Sequence, residues 1–279
     1  MEKADQGIGL RTRGSAPHMS STQLSEKAHK QGLLWGIEAQ DWLDIQERKS
    51  PALWIPVLDA AGVRPGLRVL DAGCGTGGAA ILARERGAIV SGCDASEGML
   101  NVAGTRLAGA DLRLAELENL PFADASFDVT LAINSLQFAH DPARGAKELV
   151  RVTAPGGRIA VVVWSLDHCE QKAIFDAILA LFEKPPKGRG VFALSAPGQV
   201  ENLFPGLTIH ATEIDCAFEY SNLELALRGQ MAAGPSQRVV EIFGREKVET
   251  AVRAALQPFV KSSGEVRLQN RFRCVVARH

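Results

Sequence analysis

The chain has 279 residues, 46% of them hydrophobic, and its 31 basic and 32 acidic side chains leave a net charge of −1. That length supports one large core, the scattered charge speaks against a nucleic-acid groove, and no apolar run reaches the ~18 residues of a membrane span. The five cysteines (Cys74, Cys93, Cys169, Cys216, Cys274) lack metal-ligand spacing, so no metal site and reduced thiols in a cytoplasmic protein are expected.

Residues 1–18 are polar and glycine-containing, and Arg13 to Met19 reads as a tag remnant or disordered segment ahead of a start at Met19. Residues 19–279 then form one domain: a helical cover over 19–62, a cofactor-binding core over 63–165, and a sheet-completing part over 166–279. Helical spacing (Leu24, Ala28; Leu33, Ile37; Trp42, Ile45) runs through 23–50, and Ser50-Pro51 starts a second helix near 52–61. From Leu67 strands and helices alternate, the pattern of a parallel sheet. Strands are predicted near 67–71, 88–93, 111–115, 127–133 and 157–164, with helices near 77–86, 96–108 and 142–152. Pro155-Gly156-Gly157 marks a turn. Beyond Trp164, a helix covers Gln171 to Phe182, a loop Lys184 to Gly190, a short helix Gly198 to Leu203 and a strand Leu207 to Phe218. Two or three helices follow over 222–260, and a last strand covers Asn270 to Ala277.

The strand Val69-Leu70-Asp71 runs into Ala72-Gly73-Cys74-Gly75-Thr76-Gly77-Gly78, and a second strand ends at Asp94. Gly73, Gly75 and Gly78 fit the G-x-G-x-x-G spacing, with an acid about 20 residues on, which admits a nicotinamide dehydrogenase. Asp71 argues otherwise. Its carboxylate would face a pyrophosphate at short range, whereas a ligand with an ammonium group and no phosphate would be attracted. S-adenosylmethionine is such a ligand. Gly73, Gly75 and Gly77 let the backbone approach its methionine part, and Asp94, with Ala95 beside it, accepts from the ribose hydroxyls. Met99, one turn into the next helix, can pack an adenine face or simply fill the core. Cys74 sits near a helix N-terminus, where a thiol can acidify, yet burial under the loop is the commoner fate.

These residues resemble the first motif of the class I S-adenosylmethionine-dependent methyltransferases, and the likeness continues in order: Glu116 to Phe122, Ser126 to Leu131, Asn134 to Phe138, Glu148 to Val152 and Pro155 to Ile159. It spans roughly residues 50 to 165 and is similar above all to the small-molecule branch holding the ubiquinone and menaquinone methyltransferases. The resemblance implies an α/β fold: a Rossmann-like, seven-stranded, mostly parallel sheet with helices on both faces, an antiparallel C-terminal strand and helical lid elements. It also implies that Glu116 accepts from the adenine amino group, that the Leu117 amide donates to a ring nitrogen, and that Asn134 holds the ligand's amino group. Glu116 stands where the family more often has Asp, and Gln137 where many relatives have His.

The expected activity is metal-independent transfer of a methyl group to a small organic acceptor by in-line displacement, aided by proximity and a water-poor pocket. Gln137 and His140 are the catalytic candidates, His140 standing one loop from the crevice. Trp35, Trp42, Gln137, Phe192 and Tyr220 are candidates to line the acceptor pocket. The helices near 222–260 and the N-terminal helices are expected to cover the crevice. Open alternatives are a regulatory S-adenosylmethionine-binding protein, a fold relative that promotes rearrangement without methyl transfer and, less favoured, a dehydrogenase. Neither the acceptor nor an oligomeric state is set by the sequence.

Overall fold

The computed structural model of the chain describes residues 24–185 and 190–279. The tag reading over 1–18, the start at Met19 and residues 186–189 of the predicted loop lie outside them. The strands are β1 (Arg68–Ala72), β2 (Ile89–Asp94), β3 (Asp111–Leu114), β4 (Phe127–Ile133), β5 (Thr153–Trp164), β6 (Thr208–Asp215), β7 (Phe218–Tyr220), β8 (Val266–Leu268) and β9 (Arg271–Arg278). Seven form one sheet in the order β3-β2-β1-β4-β5-β9-β6. β1 to β5 pair in parallel, while β9 runs antiparallel to both β5 and β6. This is the seven-stranded, Rossmann-like sheet with an antiparallel C-terminal strand.

Apolar side chains point to both faces of the central strands, as a sheet buried on both sides requires. Val69, Val129, Leu131, Ala160 and Val162 join one core, and Leu70, Ala132, Ile159, Val161 and Val163 the other. Helices α2 (Pro51–Ala60) and α3 (Gly78–Glu85) cover the first face, and α5 (Pro142–Val152) the second; α1 (Glu26–Gly36) and α4 (Glu97–Arg106) pack together beside the carboxyl edge of the sheet. Local signals set their starts. Ser96 caps α4 by accepting from the Met99 amide, and Asp141 caps α5 ahead of Pro142. After α6 (Lys172–Leu179) come α7 (Leu223–Met231), α8 (Gly234–Phe243) and α9 (Arg245–Leu256), so the 222–260 stretch holds three helices.

The structure corrects three expectations. The 23–50 helix is broken after α1 into an irregular passage, Ala39–Lys49, with a π turn at Trp42–Gln46. α1 ends at Gly36, where it crosses α4 so closely that a Cβ on Gly98 would lie 2.8 Å from the Gly36 Cα. The strand predicted over Leu207 to Phe218 stops at Asp215, and Phe218–Tyr220 pairs instead with β8 in a separate two-stranded sheet. Third, β5 starts at Thr153 but loops out between Thr153 and Arg158, where the Pro155-Gly156-Gly157 turn falls and Gly156 takes φ +79°. Among the described residues no helix is long and apolar enough to cross a membrane.

Candidate functional site

Strand order reverses between β1 and β4, the place where an open α/β sheet forms a crevice at its carboxyl edge. A cavity of about 620 Å³ opens there, within the range of small-molecule sites. Its floor is built from consecutive strand ends: Asp94 and Ala95 after β2, Asp71 and Gly73 after β1, Asn134 and Ser135 after β4, and Trp164 at the end of β5.

The glycine loop is held by β2. The amides of Gly73 and Cys74 both donate to the Cys93 carbonyl (2.8 and 2.9 Å), and the Gly75 amide donates to Asp94 Oδ2 (2.8 Å). Gly73 has φ +80°, and a Cβ there would sit 2.3 Å from the Ser135 Cβ, whose hydroxyl donates to the Ala72 carbonyl at 2.7 Å. Gly75 has φ +54° and no atom within 4 Å of a Cβ position, so its face is open to the cavity. Gly77 differs from the expectation that it meets the ligand. It does not line the cavity; its missing Cβ makes room for Leu107 Cδ1, 2.7 Å away.

Among the described residues that line the cavity, two buried acceptors have no protein partner, Asp71 Oδ2 and Asn134 Oδ1. Burial pushes the Asp71 carboxyl up to about 7, helped by the nearby charge of Asp94, while the Ala80 amide pulls it down. Burial also raises Asp94, against the pull of the Ser96, Gly75 and Ala95 amides. Asp94 does not act as the helix cap, since Ser96 does and itself donates its amide to Asp94 Oδ1 at 2.9 Å. Asn134 sits at φ +52°, a left-handed conformation that Asn tolerates better than most residues. Burial pushes the Cys74 thiol well above its ordinary value, with Asp94 and Asp71 adding to the shift, so it is a packed neutral side chain rather than an acidified one.

Met99, Glu116 and Leu117 also line the cavity. Glu116 is already engaged: its Oε2 accepts from the Ser25 hydroxyl (2.5 Å) and amide (3.3 Å), which ties the start of α1 to the rim. Among the acceptor-pocket candidates, Trp35 and Trp42 line the cavity and meet edge to face at 4.9 Å. Phe192, Tyr220 and Gln137 do not. Phe192 packs against Trp164 and Phe175 in the core, Tyr220 is 2% exposed, and Gln137 is buried in the turn after β4. His140 reaches the mouth after all, where its Nε2 lies 3.0 Å from Lys27 Nζ.

Several lining residues carried no sequence signal, above all Gln46, Glu47 and Trp54 of the cover and Gln171 and Gln230. Glu47 accepts from Thr76 in the glycine loop and pairs with Arg106 at 2.6 Å, latching the 39–49 passage onto that loop. A Cβ on Gly78 would lie 2.3 Å from the Trp54 ring, so this close approach depends on glycine. Only a long-range contact map reveals such partners.

Residues 70–161 match the family described as a methyltransferase domain. A demethylmenaquinone methyltransferase of Paenarthrobacter aurescens is 38% identical over 109 residues, which is 39% of this chain and 43% of that protein. A malonyl-(acyl-carrier protein) O-methyltransferase of Serratia marcescens is 40% identical over 103 residues, 37% of this chain and 40% of that protein. The chain thus spans about two fifths of the length of these curated relatives. The crystal structure of the [4+2]-cyclase SpnF superposes with a TM-score of 0.52 at 20% identity over 81% of this chain and 79% of that one, a likeness of fold.

Proposed function

We propose that this chain, whose residues 70–161 match the methyltransferase-domain family, moves the methyl group of S-adenosylmethionine to a small organic acceptor without a metal. The observation that carries the reading is the pair of unpartnered buried acceptors, Asp71 Oδ2 and Asn134 Oδ1, beside the open backbone of Gly75. Buried acceptors without donors are costly unless a ligand supplies them. An ammonium group supplies them, whereas a pyrophosphate would add negative charge next to Asp71 and Asp94. The residues present therefore fit the cofactor.

In this reading Asp71 and Asn134 hold the amino-acid end, Gly73 and Gly75 make room for it, Asp94 receives the ribose hydroxyls, and Met99, Glu116 and Leu117 flank the adenine. When bound, the sulfonium supplies an electrophilic methyl carbon. The chain's contribution is to align an acceptor with it and to keep water out, using the 39–49 passage, α1, α7 and α8 as cover. Neither Gln137, which is off the cavity, nor His140, which is at its exposed mouth beside Lys27, is assigned as a base.

The test is calorimetric titration of the stripped chain with S-adenosylmethionine, S-adenosylhomocysteine and NADH. Micromolar binding of the first two without heat from NADH is expected; binding of NADH alone would make the site a dehydrogenase site. The two glycines should separate in the same assay. Gly73→Ala places a methyl against Ser135 in a left-handed conformation and is expected to cost about 2–4 kcal/mol of stability. Gly75→Ala meets no protein atom, so about 1 kcal/mol of backbone strain is expected while S-adenosylhomocysteine binding falls at least tenfold. Melting curves beside the titrations check both, and unchanged ligand affinity in Gly75→Ala would contradict the assigned position.

A further inference from the structure

The cavity has two chemically different ends. Asp94, Asp71, Asn134 and Trp164 stand at the ends of β2, β1, β4 and β5, which are consecutive in the sheet. Neighbouring strands are ~4.8 Å apart, so about 14 Å separates the Asp94 strand from the Trp164 strand. The carboxylates Asp71 and Asp94 belong to the first end. At the second, Trp164 packs edge to face with Phe175 and Phe218 (6.2 and 5.9 Å), all three lining the cavity.

The polar groups that accompany those rings are neutral amides joined in one network. Gln171 and Gln230 exchange side-chain hydrogen bonds (2.5 and 3.1 Å). Gln230 Nε2 also donates to the Tyr220 hydroxyl at 3.1 Å, and that hydroxyl donates to Gln46 Oε1 at 2.7 Å. Burial pushes the Tyr220 phenol well up, which keeps it a donor. With its oxygen so occupied, Gln46 is left with its amide Nε2–H₂, which has no partner among the described residues although Gln46 is only 6% exposed and lines the cavity. In the amide orientation of the structure, the free end is the donor. Glu47, next in the chain, is ion-paired with Arg106, and Arg238 reaches the cavity from the exposed side of α8, where solvent screens it.

We propose that Gln46 is the specificity-determining donor of the acceptor end, oriented by Tyr220 and Gln230 as positioning residues, and that the site takes an uncharged, planar aromatic acceptor through one of its oxygen atoms. The rings provide flat apolar walls. A free donor selects an oxygen; an ammonium would need a free acceptor, and a carboxylate or phosphate would need a buried cation. The assignment of this end to the acceptor rests on the reading that the carboxylate end holds S-adenosylmethionine.

The test is equilibrium dialysis of 1-naphthol, naphthalene, 1-naphthoate and 1-naphthylmethylammonium against the full chain saturated with S-adenosylhomocysteine, and against the chain alone. 1-Naphthol is expected to bind about 3- to 10-fold tighter than naphthalene, the range of one neutral hydrogen bond, and at least tenfold tighter than either ion. Gln46→Leu should abolish the preference over naphthalene while leaving S-adenosylhomocysteine affinity unchanged. Tyr220→Phe should reduce that preference with naphthalene binding unaltered, a change in selectivity that mere loss of packing does not produce. Equal binding of naphthol and naphthalene to the unaltered chain, tighter binding of either ion, or binding of none of the four would overturn the proposal without any variant having to fold. The naphthol preference without S-adenosylhomocysteine binding would sink the cofactor reading, and with it the assignment of this end to a methyl acceptor, while leaving Gln46 as the selective donor; S-adenosylhomocysteine binding without the preference would sink this proposal alone.

Discussion

Replacing Asp94 with alanine is expected to weaken S-adenosylhomocysteine binding by about 100-fold or more, because hydrogen bonds to a charged group contribute about 1.5–3 kcal/mol each. A carboxylate offers about four lone-pair sites. Two are taken by the amides of Gly75 and Ser96, one on each oxygen, which leaves one on each oxygen for a pair of vicinal hydroxyls. The same two amides fix the carboxylate's rotation, so it is oriented before any ligand arrives. Asp94→Ala also frees the Gly75 amide, and part of the loss will come from the loop. Asp94→Asn separates the two effects: its oxygen can still accept one amide while the charge is gone, and an intermediate loss of about tenfold is expected. Calorimetry at matched ionic strength, with a melting curve to show that each variant is folded, checks this. A loss under threefold in Asp94→Ala would remove Asp94 from the site.

Asp71→Asn is expected to act in opposite directions on stability and on binding. The Asp71 carboxyl, ordinarily near 3.8, is raised to about 7 by burial and by the charge of Asp94. A raised acid keeps its proton in the folded chain after the unfolded chain has released it. Its contribution therefore favours folding at low pH and is lost as pH rises from about 4 through about 7. Between pH 6 and 8 the cost of ionising it continues to grow by roughly 1 kcal/mol, and the asparagine variant is spared that cost. The variant should accordingly melt higher than the unaltered chain at pH 8, with a smaller advantage at pH 6. For a ligand bearing an ammonium group the sign reverses. Affinity for S-adenosylhomocysteine should fall up to tenfold per pH unit below about 7, where a proton must leave before the carboxylate can accept. Asp71→Asn should weaken binding by about 10- to 100-fold at pH 8 and flatten that pH dependence. Titrations and melting curves from pH 6 to 8 read both effects; a pH-independent affinity in the unaltered chain would place the ammonium elsewhere.

The strand ends were legible because their signals are local. An apolar run followed by glycine and a carboxylate places Asp71, Gly73, Gly75 and Asp94 on one edge once the strands are known to be parallel, and all four line the same cavity. Gly77 illustrates the limit. Its spacing looked like that of its neighbours, yet its positive φ serves the packing of Leu107. Tyr220 and Phe192 lie off the cavity for a related reason, since an aromatic residue in an irregular stretch can face a pocket or a core, and periodicity does not separate the two. Tyr220 still acts on the cavity, one hydrogen bond removed, through Gln46.

Residue order alone determined the parallel half-sheet, its turns and caps, and the carboxylates at its edge, because period-2 and period-3.6 patterns, glycine conformations and cap hydroxyls act within a few residues of one another. Only the tertiary structure decided what closes the crevice and what faces the acceptor. Gln46 meets Tyr220 across 174 positions, Gln171 meets Gln230 across 59, and Glu47 meets Thr76 across 29. Such pairs form because α7, α8 and the 39–49 passage are folded back over the sheet to bury their apolar sides. Their polar groups must then find partners wherever the packing leaves them.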